Sequence, residues 1–250
     1  MTTLILREGA DRLHVELNRP DVRNAINDDM VDELHAVCTS LEREPRILIL
    51  TGTSTPERGV FAAGADIRQL LERGRDEALA GINSGLFIRI ARLPMPVIAA
   101  VDGFAIGGGA ELAYAADIRI ASTRAVFGNP ETAIGILAAA GATWRLAELV
   151  GEPLAKEILF TGRRLDAEEA LRCGLVASVH APDQLAAAAD TVADRIAGQD
   201  PLALRVSKRV LAAPRDAHPL VDELAQAILF ESDAKTQLMT RFLNRSQETR

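Results

Sequence analysis

At 250 residues the chain is long enough for one large α/β domain with a small helical appendage. Apolar residues make up 48% of it and aromatic ones only 4%, so Ala, Leu, Ile and Val must build the core. A formal charge of -7 with no block of Lys or Arg argues against a nucleic-acid partner, and no apolar run reaches the roughly 20 residues that cross a bilayer.

The N-terminus carries no basic segment followed by an apolar stretch, so a cytoplasmic location is expected. Cys38 and Cys173 have neither metal-ligand spacing nor disulfide density and read as buried thiols. His14, His35, His180 and His218 stand apart, in no HxxxH or HExxH arrangement, so no metal site is expected.

Leu13 to Leu17 alternates as a half-buried strand does, and Asn18-Arg19-Pro20-Asp21 breaks it. From the N-cap Asn27, residues Val31, Leu34, Cys38 and Leu41 recur at helical spacing and predict a helix to about Arg43. Ile47 to Leu50 and Val97 to Val101 are unbroken apolar runs, the mark of interior parallel strands. Between them a tight turn of small residues, Phe61 to Asp66, precedes a helical pattern in Ile67, Leu70 and Leu71. Gly103 to Gly109 reads as a second such turn, opening a helix at about Gly108.

A strand near Ile118 to Ala121 follows, then helices from about Gly141 and Asp166 and a strand near Leu175 to Val179, with Gly174 closing the Asp166 helix. From Asp183 the pattern is helical, with Asp200-Pro201 as cap and first-turn proline and one final helix from about Pro219. The expected division is an α/β core over 1–193 and a helical region over 194–250. No repeat of fixed length is present.

The two small-residue turns, at Ala63 to Asp66 and Gly107 to Gly109, present backbone N–H groups that no large side chain shields, a pairing suited to a carbonyl oxygen gaining charge. Glu111, one helical turn after Gly108, stands on the same face, and Glu131 follows the turn Gly128-Asn129-Pro130. Two carboxylates in one cavity separate their titrations and serve as acid and base. Taken singly, each has a bland reading: the glycine triplet as helix packing, Glu131 as a solvated loop carboxylate. The triplet also fails the GxGxxG dinucleotide pattern, since Leu112 holds the third glycine position.

Four motifs in order narrow the reading: Leu17-Asn18-Arg19-Pro20 with Asn24-Ala25; Phe61-Ala62-Ala63-Gly64-Ala65-Asp66-Ile67; Gly107-Gly108-Gly109-Ala110-Glu111-Leu112-Ala113 with Asp117; and Phe127-Gly128-Asn129-Pro130-Glu131 with Gly135. Over nearly its whole length the chain resembles the enoyl-CoA hydratase/isomerase (crotonase) family. The resemblance implies a crotonase-like spiral of ββα units with a helical C-terminal region that mediates trimers, commonly paired into hexamers, and an acyl-CoA thioester as substrate. By motif position it makes Ala65 and Gly108 the two N–H donors to the thioester oxygen. It lays the CoA path along Ala63, Asp66, Ile67 and Arg68, with Arg23 beside it and Phe242 and Arg245 approaching from a neighbouring subunit.

Both family glutamates are present, which implies hydration of a trans-2-enoyl-CoA, with Glu111 activating water for C3 and Glu131 exchanging the proton at C2. No metal or redox cofactor enters; coenzyme A comes as part of the substrate. Double-bond isomerisation by Glu131 alone and acyl-CoA binding without turnover are the alternatives. A serine hydrolase is disfavoured, since no GxSxG is present. Two departures stand out: Gly135-Ile136-Leu137-Ala138-Ala139-Ala140-Gly141-Ala142 replaces a Pro-Gly and Gly-rich stretch, and Lys235-Thr236 replaces an acidic-glycine pair.

Overall fold

The structure is a computed structural model that describes residues 2–248, with side chains to residue 244. It divides into two compact units, one ending at Asp194 and the other beginning at Arg195.

The first unit is built on two sheets. Strands β1 (Leu4–Glu8), β2 (Arg12–Leu17), β3 (Ile47–Thr51), β6 (Val97–Val101), β8 (Ile118–Ser122) and β11 (Val179–His180) form one, in the order β1-β2-β3-β6-β8-β11. Apart from the antiparallel β1–β2 pair the ladder is parallel, in a register that sets Ile49 against Ile98 and Ile98 against Ile118. All five residues of β6 are buried, as a strand covered on both faces requires.

The second sheet, ordered β10-β9-β7-β5-β4, is made of short strands: β4 (Thr53–Ser54), β5 (Gly59–Ala62), β7 (Phe104–Ile106), β9 (Val126–Gly128) and β10 (Arg164–Asp166). Each turn of the chain therefore lays one strand in the large sheet, one in the small sheet, and then a helix. β3, β5 and α2 (Ile67–Glu72) make one such unit, and β6, β7 and α5 (Gly108–Tyr114) the next.

Helix α1 (Asp28–Arg43) starts where Asn27 Oδ1 accepts from Met30 N at 3.1 Å, and it buries Met30, Val31, Leu34, Val37, Cys38 and Leu41. It packs against α4 (Ile82–Ala91), which α3 (Arg75–Ala80) precedes. The core is aliphatic, with Phe61, Phe87 and Phe127 as its fully buried aromatics. The later helices of this unit are α6 (Ala147–Val150), α7 (Glu152–Thr161) and α8 (Ala167–Arg172), and α9 (Leu185–Ala197) leads out of it.

In the second unit α10 (Pro201–Leu211) begins at Asp200, whose Oδ1 accepts from Ala203 N at 2.8 Å. Helices α11 (Leu220–Phe230) and α12 (Asp233–Glu248) follow. Among the described residues no helix is long and apolar enough to cross a membrane.

Four sequence expectations are corrected. The stretch Gly103 to Gly109 is not all turn, because Phe104–Ile106 pairs with β5 and β9; a three-residue strand leaves no period to read. The strand expected over Leu175 to Val179 begins only at Val179. Its first carbonyl, that of Leu175, is taken by the buried Arg119 Nε at 2.9 Å, and ladder-like bonds start at Ala177 N to Arg119 O, 2.7 Å. The single final helix is two, since the Ser232 hydroxyl accepts from Lys235 N at 3.2 Å and opens a new helix. Cys38 is buried, which pushes its thiol up to about 11, but Cys173 is only half-buried.

Close approach of backbones fixes where α5 sits. A methyl group on Gly109 would stand 2.2 Å from Ala62 O, so only glycine lets α5 lie on β5. Replacing Gly109 by Ala should cost about 3 kcal/mol and lower the melting temperature by about 6–12 °C, read by differential scanning fluorimetry. An unchanged melting temperature would mean that α5 is not held against β5.

Candidate active site

The site begins with a loop that has little regular structure. Arg23 and Asn24 both adopt left-handed backbone, at φ 56 and 54, and Asn24 is fully buried. Its Oδ1 accepts from Arg19 N at 2.8 Å, and its Nδ2 donates to Val60 O at 2.9 Å, fastening the loop to the end of β5. Main-chain bonds then join the loop to the small-residue turn: Ala63 N to Arg23 O (3.0 Å), Ile26 N to Gly64 O (2.8 Å) and Asp66 N to Ile26 O (2.9 Å). The amides of Ala63 and Asp66 and the carbonyl of Gly64 are thereby used. Ala65 N–H, between them, makes no hydrogen bond among the described residues.

The second amide comes from α5. Gly108 is its first residue, so its N–H has no intrahelical acceptor. Gly107, at φ 56, turns the chain, and its own N–H is spent on Gly128 O at 2.8 Å. A methyl group on Gly108 would stand 3.3 Å from Ala65 N, and one on Gly64 would stand 3.8 Å from Gly108 N. The two free amides thus face one small space that glycine keeps open.

Glu111, one turn along α5, is 3% exposed, and its Oε1 accepts from Ala140 N (2.8 Å) and Ala142 N (3.0 Å). Glu131 opens a short 3-10 turn, Glu131–Ile134, after β9 and is 8% exposed. Its Oε1 takes a long bond from Asn129 Nδ2 (3.4 Å), while Tyr114 OH donates to Asn129 Oδ1 (3.1 Å). Its Oε2 is buried without a partner among the described residues. A methyl on Gly107 would meet Glu131 Oε1 at 3.2 Å, so the second acid borders the glycine turn.

Ala65, Gly108, Glu111 and Glu131 all line one cavity of about 660 Å³. The fold brings these four residues into one lining, where Ala63 and Ile67 also stand. Arg23, Asp66 and Arg68 do not: Arg23 and Arg68 are exposed, while Asp66 caps α2 by accepting from Arg68 N (3.1 Å) and pairs with Arg19 (3.2 Å). Phe242 is exposed on α12 of the second unit, and the Arg245 side chain lies outside the described residues.

In the sequence Asn129 reads only as part of a turn, and its bonds to Glu131 and Tyr114 emerge from the fold; its place inside the Phe127–Glu131 motif is the available clue. Among the described residues no three His, Cys, Asp or Glu side chains are grouped to hold a metal ion.

The enoyl-CoA hydratase/isomerase family model matches residues 9–248. The chain belongs to that family. It is 38% identical over 238 residues to the short-chain-enoyl-CoA hydratase of Clostridium acetobutylicum, covering 94% of this chain and 88% of that one. It is 36% identical over 248 residues to the crotonyl-CoA hydratase of Syntrophomonas wolfei, covering 96% and 95%. The crystal structure of the enoyl-CoA hydratase of Bacillus anthracis superposes with a TM-score of 0.91 at 29% identity, covering 97% of this chain and 96% of that one. The crotonase-like fold expected from the four motifs is therefore the fold of this chain.

Electrostatics distinguish the two glutamates. Burial raises the Glu111 carboxyl to about 7; the charge of Glu131 adds to the rise, and the amides of Ala142 and Ala140 oppose it. Burial raises Glu131 as well, against the Asn129 amide. An unfolded glutamate loses its proton near 4.5, so between that pH and about 7 the folded chain holds the extra proton at Glu111 and its stability falls as pH rises. Glu111→Gln still accepts both N–H groups but cannot ionise. It should be more stable than the parent at pH 8, by on the order of 3 kcal/mol, with the gap closing at pH 5. Thermal melts at the two pH values check this, and an equal gap at both would contradict a raised Glu111.

Proposed function

We propose that the protein catalyses the reversible hydration of a trans-2-enoyl-CoA to a 3-hydroxyacyl-CoA. The observation that carries this is the meeting of two buried glutamates and two unspent main-chain amides in one cavity. The thioester oxygen accepts from Ala65 N–H and Gly108 N–H, which draws electron density from C3 and stabilises the enolate that follows. Glu111, held through Oε1 by two amides, orients the attacking water with its other oxygen. The hydroxyl joins C3 and Glu131 supplies the proton to C2; the water proton is returned through the acid pair.

Addition of water moves no net electrons, so the reaction as proposed needs no redox group, and coenzyme A enters with the substrate. The names of the Clostridium and Syntrophomonas relatives support this activity. Exposed Arg23 and Arg68 are suited to the CoA phosphates, with Ala63, Asp66 and Ile67 on the path between.

Glu111→Gln and Glu131→Gln should each lower crotonyl-CoA hydration by about 10²–10⁴-fold, followed as loss of enoyl absorbance. An unchanged rate in Glu111→Gln would remove that residue from the reaction.

We further propose that the chain works as a homotrimer, or a hexamer of paired trimers. Leu220, Leu224 and Ile228 repeat every fourth residue on α11 and stay about 60% exposed, an apolar stripe that a second copy would cover. Light scattering after size exclusion should give three or six times the 26.8 kDa chain, and a monomer at micromolar concentration would end this proposal.

A further inference from the structure

Asn83 is the second residue of α4 and stands in the cavity wall. Its position is set locally: Gly81, at φ 62, turns the chain into the helix, and Ser84 Oγ donates to Gly81 O at 3.1 Å. Around it the wall is largely apolar, with Ile67, Leu70, Ile82 and Leu137. An asparagine is an exception in such a lining, because an amide that gives up water without gaining partners destabilises the fold. Asn83 accepts that cost. Its Oδ1 is enclosed without a partner, and its side chain makes no hydrogen bond among the described residues.

The direction of the amide accounts for it. A methyl group on Gly108 would stand 3.7 Å from Asn83 Nδ2 and 3.3 Å from Ala65 N. The point beside Gly108 that faces the free Ala65 N–H therefore also faces the Asn83 amide. With nitrogen toward that point the side chain offers an N–H to an oxygen held there. The reversed amide would set lone pair against lone pair, so an anionic oxygen selects the donating orientation.

We propose that Asn83 donates a side-chain hydrogen bond to the thioester oxygen, as a third donor beside Ala65 N–H and Gly108 N–H. This makes it a further catalytic residue, and it rests on the hydratase reading only in taking an enoyl thioester as the ligand. A third donor in a largely apolar cavity stabilises the enolate more than the neutral carbonyl, so it acts on the rate rather than on ground-state binding.

The test uses 4-(dimethylamino)cinnamoyl-CoA, whose absorbance moves to longer wavelength as its carbonyl is polarised, together with crotonyl-CoA turnover. Wild type is compared at saturation with Asn83→Leu, which keeps the size, and Asn83→Ser, which is small enough to fold in any rotamer; thermal melts confirm folding. The expected result is a smaller red shift in both variants and a kcat for hydration lower by about 10²-fold with KM little changed. An equal red shift in wild type and variants, or no red shift in wild type, overturns the proposal. A wild type that shifts the chromophore but does not hydrate crotonyl-CoA removes the hydratase reading, and the Asn83 donor is then judged on the red shift alone.

Discussion

The Ala65 and Gly108 N–H groups, which make no hydrogen bond among the described residues, set the terms for the rest of this structure. Buried amides are almost always satisfied, and here the satisfied neighbours are what leave these two free. The Arg19–Ile26 loop bonds to Ala63, Gly64 and Asp66, and so consumes the main-chain groups on one side of the turn while aiming Ala65 N–H to the other. The start of α5 aims Gly108 N–H at the same place. Neither donor depends on a side chain, so neither has rotamer freedom to lose when an oxygen arrives. That is the pre-organisation which makes such a pair effective. The loop bearing Asn24 is thus as much part of the site as the residues that line it, although it stands outside the cavity.

The two acids are supported unequally, and in the proposed hydration the difference bears on their roles. Glu111 is gripped by two amides through one oxygen, which fixes its direction and leaves the other oxygen for a water. Glu131 takes a long side-chain contact from Asn129, and its Oε2 has no partner among the described residues. A carboxyl group held this loosely can turn to give and take a proton, and the Tyr114–Asn129 bond stops the amide itself from swinging away. Burial raises both acids, and Glu111, at about 7, is not locked in its charged form near neutral pH.

The large parallel sheet was legible because β3 and β6 are unbroken apolar runs, and α1 because its apolar spacing and its Asn27 cap agree. The small sheet was not, since strands of two to four residues such as β4 and β7 carry no period and are held by the sheet around them. The break between α11 and α12 hides in Ser232, whose capping role is visible only once the chain stops on either side. At the site, Glu111 and Gly108 could be placed from helix spacing, and Glu131 from its proline turn. Asn83 could not, because nothing local to its sequence brings α4 beside the start of α5; only the packing of α4 against α1 and α5 does so.

The altered stretch over Ala138 to Ala142 shows what that segment has to supply. Its contribution to Glu111 is made by the amides of Ala140 and Ala142. An alanine methyl is irrelevant to an N–H donor, whereas a proline at either place would remove it. The backbone between them is less tolerant, because Gly141 takes φ 149, a conformation that side chains rarely adopt. The substitution of alanines for a glycine-rich sequence therefore preserves the clamp on the acid as long as Gly141 stays. What the methyls change is the wall itself: Ala139 and Ala140 face the cavity and narrow it where glycine would leave room. In the proposed reaction the departure from the family pattern therefore acts on the shape of the acyl pocket.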